Sequence, residues 1–542
     1  MPSLHTPTIS LKQRRELEQL AVRIFKKQGT IGAYAAPFWD ELSSVIIDTV
    51  RHALALNLRE INSSGLKQPR LLPELWGTVW AELNARDRLT VTQVSSQWRS
   101  LASRCPQLWT NLNMTTSLHR HGCNCVRCCP SYDDDEALQR LCLWCKRHSE
   151  PRLSSNVDLA QDLINRSGRL SLSLRARSTG REHTDPDAVR RMSTTLAPHV
   201  DRLRELDVST DNPKTFYRNF FARLGTLSNL VKFKYDCSGE LDIDWQQNLN
   251  LPSLEDFSFR SSRILNDNGM RLFAPKVCKL FCETSNPCDI ALILHACPMA
   301  QDVTLSFTHM LFRPAELFSI SDRSTIAEFL SNAKPSMLRL RGVANQNCTS
   351  IVDAFRSAAG EVVVEFGDRD PPDDLLDFIC GIEGATDLDL SLTNSNAHDA
   401  SLAVSRGQSL RRQLRIRNYS SEEVAAFISS VWTHLREPSS LRKIVVHSTL
   451  LEPLFAHAPD LRFTDLVINF DSPGQYPSLL KWFNENLTVS AQSGAFADLN
   501  NVDICPNDKN AWYFPIQIRD RISRAFPQVK FTTRGILISS QT

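Results

Sequence analysis

A short apolar strand, a loop and a helix recur along the chain from about residue 196 onward. Alternating apolar residues mark the strands, as in LRELDV from Leu203 and VVVEF from Val362. The strands are predicted to begin at Leu203, Leu230, Leu254, Val277, Val303, Met337, Val362, Leu388, Leu414, Leu441, Phe463, Leu499 and Val529. Units that each expose an apolar face bury it by stacking, which favours a parallel sheet with helices, such as 374–381 and 422–435, on its outer side.

Most of these strands follow one another at steps in the mid-twenties of residues, within the range of roughly 20 to 29 residues of leucine-rich repeats. The array resembles irregular leucine-rich repeats, because the asparagine that usually recurs in the repeat is mostly missing. Two larger steps predict inserted loops at 313–323 and 471–494, which are either binding features or decoration. The predicted fold class is α/β, with a leucine-rich-repeat-like solenoid over residues 156–542, its parallel sheet on the concave face and its helices outside.

Upstream of this array, residues 71–112 carry three short apolar sets that predict three short helices. The first helix is predicted to begin at Pro73, because proline suits the first helical turn and the acidic Glu74 suits the positive helix end. The polar stretch 84–88 separates this helix from the second, and Pro106 ends the third. A unit of this size has little interior of its own, so it is predicted to need a partner.

The residues of this stretch resemble the F-box family. The matching positions are Leu72-Pro73, Glu74, Leu75-Trp76, Leu83, Val94-Ser95, Trp98 and Leu108-Trp109, in the order of that family's pattern and at fitting distances. The alternative interpretation of residues 71–112 is an ordinary three-helix fragment inside a larger core.

The resemblance implies a substrate receptor of an SCF-type ubiquitin ligase. In such a receptor the F-box docks on a Skp-family adaptor, and through it on a cullin complex, while the repeat array holds a target protein. The receptor itself performs no chemistry and requires no cofactor. The adaptor contact is predicted on apolar residues of the helices, namely Leu72, Pro73, Leu75, Trp76, Val79, Leu83, Val94 and Trp98.

A region of unusual composition, residues 113–155, follows the F-box-like stretch. Cys125-x-x-Cys128 and Cys142-x-x-Cys145 have the two-residue gap that lets both thiolates of a knuckle face one zinc ion. One hypothesis is a structural zinc site with these four ligands, for which Cys123, Cys129 and His148 are alternatives. The other is an exposed insertion with incidental cysteines on a helix. The next segment, a helix with Leu159 and Leu163 that Gly168 ends and then a strand from Leu170, resembles the one that often follows the F-box in fungal F-box proteins.

Residues 1–70 are predicted to form a helical region and a linker. Apolar residues at helical spacing between Phe38 and Ile61 form one stripe, and the polar stretch 62–70 leads into the F-box-like segment. The stripe packs against the neighbouring domain or, alternatively, forms a partner-binding or self-associating coil.

Composition narrows the class of protein. The chain has 542 residues, of which 42% are hydrophobic and 23% charged, as in globular proteins. A net charge of +2 predicts no general attraction to nucleic acid or to a membrane. Neither a secretory signal nor a membrane-spanning run is evident, so an intracellular protein of the cytoplasm or nucleus is expected, with its 15 cysteines mostly reduced.

Motifs of catalysis are missing from the sequence. It contains no phosphate-binding glycine loop, no His-Glu-x-x-His and no Gly-x-Ser-x-Gly. The arginine run 411–417 on one strand suggests either phosphate or acidic-peptide binding or a solvated face. Besides the ligase receptor, two functions remain open: an F-box and repeat scaffold that assembles no ligase and, less favoured, a zinc-dependent nucleic-acid-binding protein.

Overall fold

The structure, a computed structural model, describes residues 73–83, 85–115, 157–178, 186–210, 219–224, 226–237, 240–242, 249–261, 263–265, 272–284, 286–307, 317–393, 398–407, 409–419, 421–457, 462–470, 481–482, 498–506, 520, 524 and 530–533. By its internal contacts the chain divides into two units, Met1–Thr78 and Val79–Thr542. The described part of the first unit is the start of one helix, and the second unit holds the sheet described below.

The helices follow one another along the chain as short elements. They are α1 Pro73–Ala81, α2 Ala85–Val94, α3 Ser96–Ser103, α4 Asp158–Arg166, α5 Pro186–Leu196, α6 Phe221–Leu224, α7 Pro287–Ala296, α8 Ile320–Ala333, α9 Asn345–Phe355, α10 Asp373–Cys380, α11 Ser421–His434 and α12 Leu451–His457. A 3-10 helix, Pro106–Trp109, follows α3. Three helices followed by Pro106 agree with the prediction for residues 71–112. The prediction that the stretch 84–88 separates the first two helices is wrong, because α2 already begins at Ala85.

The strands lie between these helices. They are β1 Asn111–Thr115, β2 Leu172–Ser178, β3 Leu203–Thr210, β4 Lys232–Cys237, β5 Glu240–Asp242, β6 Leu249–Asn250, β7 Asp256–Ser261, β8 Arg263–Leu265, β9 Leu272–Phe273, β10 Lys279–Thr284, β11 Asp302–Ser306, β12 Met337–Val343, β13 Gly360–Phe366, β14 Asp387–Thr393, β15 His398–Arg406, β16 Leu410–Tyr419, β17 Lys443–His447, β18 Asp465–Phe470, β19 Asn501–Pro506 and β20 Lys530–Thr533.

One large sheet joins sixteen of the strands in the order β1-β2-β3-β4-β7-β10-β11-β12-β13-β16-β15-β14-β17-β18-β19-β20. The sheet is open, with β1 and β20 at its two ends. Neighbouring strands run parallel, except that β15 is antiparallel to both β14 and β16. The prediction of an α/β fold with a large, mostly parallel sheet is therefore confirmed. The remaining short strands pair as β5 with β8 and β6 with β9.

The sheet departs from the predicted strand order in its middle. The chain leaves β13, places β14 three positions away, and then returns through the antiparallel β15 to β16, which pairs with β13. The repeat pattern predicted consecutive parallel strands at Leu388 and Leu414 and no strand at the place of β15. The alternating Ala400, Leu402 and Val404, which are buried, supply the period-two pattern of this extra strand.

Each strand buries one face and leaves the other polar. In β4, Phe233, Tyr235 and Cys237 are buried, whereas Lys232 and Lys234 are exposed. The apolar face carries stacked rings, with the centroids of Phe233 and Phe257 5.6 Å apart. Successive helices contact one another, from α4 to α6 and again from α7 to α12. The apolar sheet face and the inner sides of these helices therefore form the core, because alternate side chains of a strand point to opposite faces.

None of the helices in these described ranges is long and apolar enough to cross a lipid bilayer.

Candidate functional site

Tryptophan side chains form the interior of the helical segment that precedes the sheet. The rings of Trp80 and Trp98 lie 5.3 Å apart, and both are almost fully buried. Trp109 donates from Nε1 to the carbonyl of Ala102 at 3.0 Å. The guanidinium of Arg166, at the end of α4, lies 5.0 Å from the centre of the Trp109 ring. These contacts attach the segment to the first helix of the array, because large aromatic rings bury much apolar surface.

Arg88 ties the turns of this segment together. Its Nη2 donates to the carbonyl of Ala81, its Nε to that of Leu83 and its Nη1 to that of Leu108, at 2.7, 2.7 and 2.6 Å. The side chain is 8% exposed, and this burial lowers the pKa of the guanidinium. Carbonyls at a helix end lack intrahelical partners, so a cation placed there meets both a hydrogen-bonding and an electrostatic need. No sequence pattern singled out Arg88.

The residues predicted to contact an adaptor differ in exposure. Val79 and Val94 are 42% and 49% exposed, whereas Trp76 and Trp98 are 7% and 6% exposed. Leu75 and Leu83 are half-buried, Pro73 begins α1, and Leu72 lies outside the described residues. The adaptor contact stays a prediction. Of these residues, Val79 and Val94 have the most surface exposed for an adaptor. Trp98 is buried, so it would support the adaptor contact only by holding the helices in place.

The predicted zinc ligands lie outside the part of the chain that the structure describes. These are Cys125, Cys128, Cys142 and Cys145, together with the alternatives Cys123, Cys129 and His148. Among the described residues, no group of three or more histidine, cysteine, aspartate or glutamate side chains could hold a metal ion. The zinc hypothesis therefore stays a prediction.

Two buried cysteines and two aspartates of the array hold structural positions. Cys297 and Cys380 are buried, and this burial raises the pKa of each thiol to about 12. A thiol with such a pKa forms little of the nucleophilic thiolate at neutral pH. Asp368 accepts a hydrogen bond from the backbone nitrogen of Asn345 at 2.6 Å, and Asp374 accepts one from the Thr349 hydroxyl at 2.7 Å. Both aspartates thus serve helix packing.

The side of the sheet that carries Lys232 and Lys234 is here called the polar face. A line of residues at one edge of it, the edge row, alternates in charge from strand to strand. The edge row consists of Glu205, Lys232, Asp256, Lys279 and Asp302, which are register partners in neighbouring strands. The Nζ atom of Lys232 lies 3.0 Å from the Glu205 carboxylate, and its hydrogen bond lowers the pKa of that carboxyl.

A cavity of about 580 Å³ opens on the polar face over strands β1 to β7. Its lining includes Arg175, Glu205, Asp207 and Lys232. These charges are already paired, since Arg175 Nε lies 2.9 Å from Asp207 and Lys232 is bound to Glu205. The volume is in the range of small-molecule sites. The whole lining carries four cationic and three anionic side chains, so its net charge of +1 gives little basis for selecting a ligand by charge.

The arginine run that the sequence places on one strand does not form one surface. Arg411 and Arg415 lie on the polar face, whereas Arg412 points into the core and is 6% exposed. Arg412 donates to the carbonyl of Ala358, lies 4.8 Å from the centre of the Phe378 ring, and has a pKa lowered to about 10 by burial. The side chain of Arg417 is not among the described ones. Strand alternation thus removes Arg412 from the predicted basic patch.

Two arginines that the sequence analysis did not single out, Arg339 and Arg341 of β12, lie on the same polar face as Arg415. In the sequence these two arginines alternate with Leu338 and Leu340, which are buried, and this alternation could have placed both arginines on the polar face.

No protein-family model matches this chain, and no curated protein matches it significantly.

Proposed function

We propose that this chain is the substrate receptor of an SCF-type ubiquitin ligase. The helical segment 73–109 would dock on a Skp-family adaptor, and the polar face of the sheet would hold a target protein. The resemblance of residues 71–112 to the F-box motivates the first half of the proposal, and the extent of the open sheet motivates the second.

One observation carries the proposal: the helical segment keeps bulky aliphatic side chains outside although its tryptophans form a closed interior. Val79 and Val94 are about half exposed, while Trp80 and Trp98 are buried. The tryptophans of the segment already pack against one another, so the exposed valines on two of its helices are not needed for its own core. They support a role in contacting a partner, because burying exposed apolar surface is favourable.

The mechanism is proximity and requires no reacting group on this chain. An adaptor at the helical segment and a target on the polar face would both be held by one receptor. A target held beside a charged conjugating enzyme meets the reacting thioester at a high effective concentration, so an intermolecular transfer becomes effectively intramolecular.

The proposal is tested by co-expressing the full chain with a Skp-family adaptor and purifying through a tag on the receptor. We expect the adaptor to co-purify in a one-to-one complex. The double variant Val79→Lys, Val94→Lys should lose the adaptor, because two charges would have to be desolvated in an apolar contact. Both positions are exposed, so the variant should fold normally, as judged by its circular dichroism and unfolding temperature.

A matched control places lysines at exposed polar positions of the helical segment, one on α2 and one on α3. The double variant Gln93→Lys, Ser100→Lys adds the same charge and should retain the adaptor. If the wild-type chain is folded but brings no adaptor, the proposal is wrong. If the adaptor binds but no cullin follows in a pull-down, the ligase proposal gives way to the scaffold alternative.

A further inference from the structure

The polar face has a block of nine residues in register at strands β12, β13 and β16. Across the three strands the rows are Met337, Glu361 and Arg411, then Arg339, Val363 and Gln413, and then Arg341, Glu365 and Arg415. Because register partners share a face, all nine side chains belong to the same surface. Neighbouring strands are about 4.8 Å apart, and alternate residues of a strand are about 7 Å apart. The block is therefore compact.

Arg339, Arg341 and Arg415, here called the arginine cluster, surround the single carboxylate of Glu365. Three guanidinium groups and one carboxylate leave a local charge of +2, in contrast to the edge row, in which opposite charges alternate. The direct register partners of the cluster in the next strands are uncharged: they are Thr304, Ser306 and Ser401, while Ala403 faces Gln413. The acids of those strands, Asp302 and Asp399, lie one alternate position farther along β11 and β15. The excess charge is thus confined to this block.

The guanidinium groups of the cluster retain hydrogen-bonding capacity. Arg341 Nε lies 3.3 Å from Glu365, a contact too loosely directed to count as a hydrogen bond in this geometry. Within the described part of the chain, Arg339 and Arg415 form no ion pair and no side-chain hydrogen bond. The side chain of Arg341 is 41% exposed, and Arg415 is exposed. An incoming anion therefore meets donors of Arg339 and Arg415 that it does not need to detach from another partner, whereas Arg341 is already ion-paired with Glu365.

The floor beside the cluster is flat and closed. Val363 lies between Arg339 and Gln413 and is 3% exposed, and Ser306 beside Arg341 is also 3% exposed. Short side chains leave room above the strands for an extended backbone, and the arginine side chains flank that room on two strands about 10 Å apart. The surface is therefore shaped for an extended chain and not for an enclosed small molecule.

We propose that the arginine cluster binds an extended acidic segment of a partner protein, with carboxylates at alternate positions. Alternate side chains of an extended segment repeat at about 7 Å, which equals the spacing of Arg339 and Arg341 along β12. Carboxylates match the planar guanidinium fork. The inference rests on the proposed function only in identifying this partner as the ligase target, since peptide binding itself needs no adaptor.

The charge distribution favours a protein segment over a nucleic acid. Tight binding to nucleic acid draws on many phosphate contacts, whereas this cluster offers three arginines, and the chain as a whole carries a net charge of only +2.

The test measures the binding of a fluorescent ten-residue peptide of alternating aspartate and serine to the full chain, by fluorescence anisotropy at constant salt. We expect saturable binding, and none to the matching asparagine-serine peptide. The double variant Arg339→Gln, Arg341→Gln should weaken binding about tenfold or more, because two charge-assisted contacts are removed. The control variant Arg175→Gln, Lys234→Gln removes the same charge from the same face and should bind like the wild type.

A second variant adds charge and guards against a loss caused by misfolding. Glu365→Gln raises the local charge from +2 to +3 and should tighten binding, whereas Asp256→Asn, which adds the same charge elsewhere on the polar face, should not. Equal effects in the two members of either matched pair would overturn the inference, as would tighter binding of a phosphoserine peptide or an oligonucleotide. Adaptor capture by the same sample reports separately on the proposed function.

Discussion

Three backbone carbonyls at the ends of helices and turns receive their hydrogen bonds from one side chain, Arg88. No other amino acid presents donors in a fork wide enough to reach separate turns at once. Burial of the cation is unfavourable, as its lowered pKa indicates, and the three hydrogen bonds offset that penalty. The integrity of the helical segment therefore depends on a residue outside the predicted adaptor contact.

We expect Arg88→Met to loosen the helical segment while the sheet stays folded. The change leaves three carbonyls without their donor, at a cost of roughly 2–4 kcal/mol locally. Limited proteolysis followed by mass spectrometry should show new cleavage within residues 73–115, and Arg88→Lys should be intermediate because it retains the charge but not the fork. If cleavage in the sheet rises equally, Arg88 supports the whole second unit and the local interpretation is wrong.

At the residue scale, the sequence predicted the helix or strand on which a residue lies better than it predicted whether the side chain is exposed. Alternation and helical spacing placed Trp98, Arg339 and Arg341 on their elements, but they could not tell that Trp98 is shielded by Trp80 or that Arg412 is drawn into the core beside Phe378. Such contacts join residues distant in sequence. Arg88 gave no local signal either, because its partner carbonyls belong to turns whose approach depends on tertiary packing.

The elements themselves were largely predictable. Every strand predicted from an alternating apolar pattern is present in the sheet, because one face of each is buried and the pattern records that burial. The extra strand β15 was not predicted, because the recurring order of strand, loop and helix led us to expect a connecting segment at that place. Local alternation at Ala400, Leu402 and Val404 was the better guide, and the strand order followed only from pairing partners far apart in the chain.

The start of β13 supports a prediction at the scale of an element. Gly360 has a φ of +87°, and a Cβ atom there would lie 2.7 Å from the carbonyl oxygen of Pro335. Gly360→Ala should therefore lower the unfolding temperature through both backbone strain and a clash with rigid backbone, at roughly 2–4 kcal/mol. Gly407→Ala is the matched control, since its φ is +60° but no atom lies within 4 Å of the added Cβ.

The smaller strain expected at Gly407 is about 1–2 kcal/mol. Differential scanning fluorimetry of the two variants checks the difference. Equal unfolding temperatures would mean that the loop before β12 moves freely away from Gly360 and that the close approach has no energetic weight.

At the scale of the whole molecule, charge on the polar face is balanced along the edge row, where opposite charges alternate between neighbouring strands, and is in positive excess at the arginine cluster. The edge row brings Lys232 between Glu205 and Asp256, and Lys279 between Asp256 and Asp302. Opposite charges on neighbouring strands attract, while a strand shifted by one residue would turn these side chains to the other face. The arrangement supports one register along the sheet.

We expect the unfolding temperature of the wild-type chain to fall modestly as sodium chloride is raised to about 0.3 M, because salt screens attractions between exposed charges. In the variant Lys232→Glu three neighbouring positions of the edge row carry negative charge, so the same salt should stabilise it. Scanning calorimetry at several salt concentrations measures both slopes. Parallel slopes for the two proteins would show that the edge row contributes nothing to stability.

The return of the chain through β15 has a consequence for synthesis on the ribosome. The partner of β13 on its later side is β16, which is made about 50 residues after β13 has emerged. At about 5–20 residues per second this interval lasts on the order of 3–10 seconds. During that time the edge of β13, with its consecutive valines at 362–364, has unpaired backbone groups and can pair with another nascent chain. Chaperone dependence should therefore concentrate at this stage of elongation.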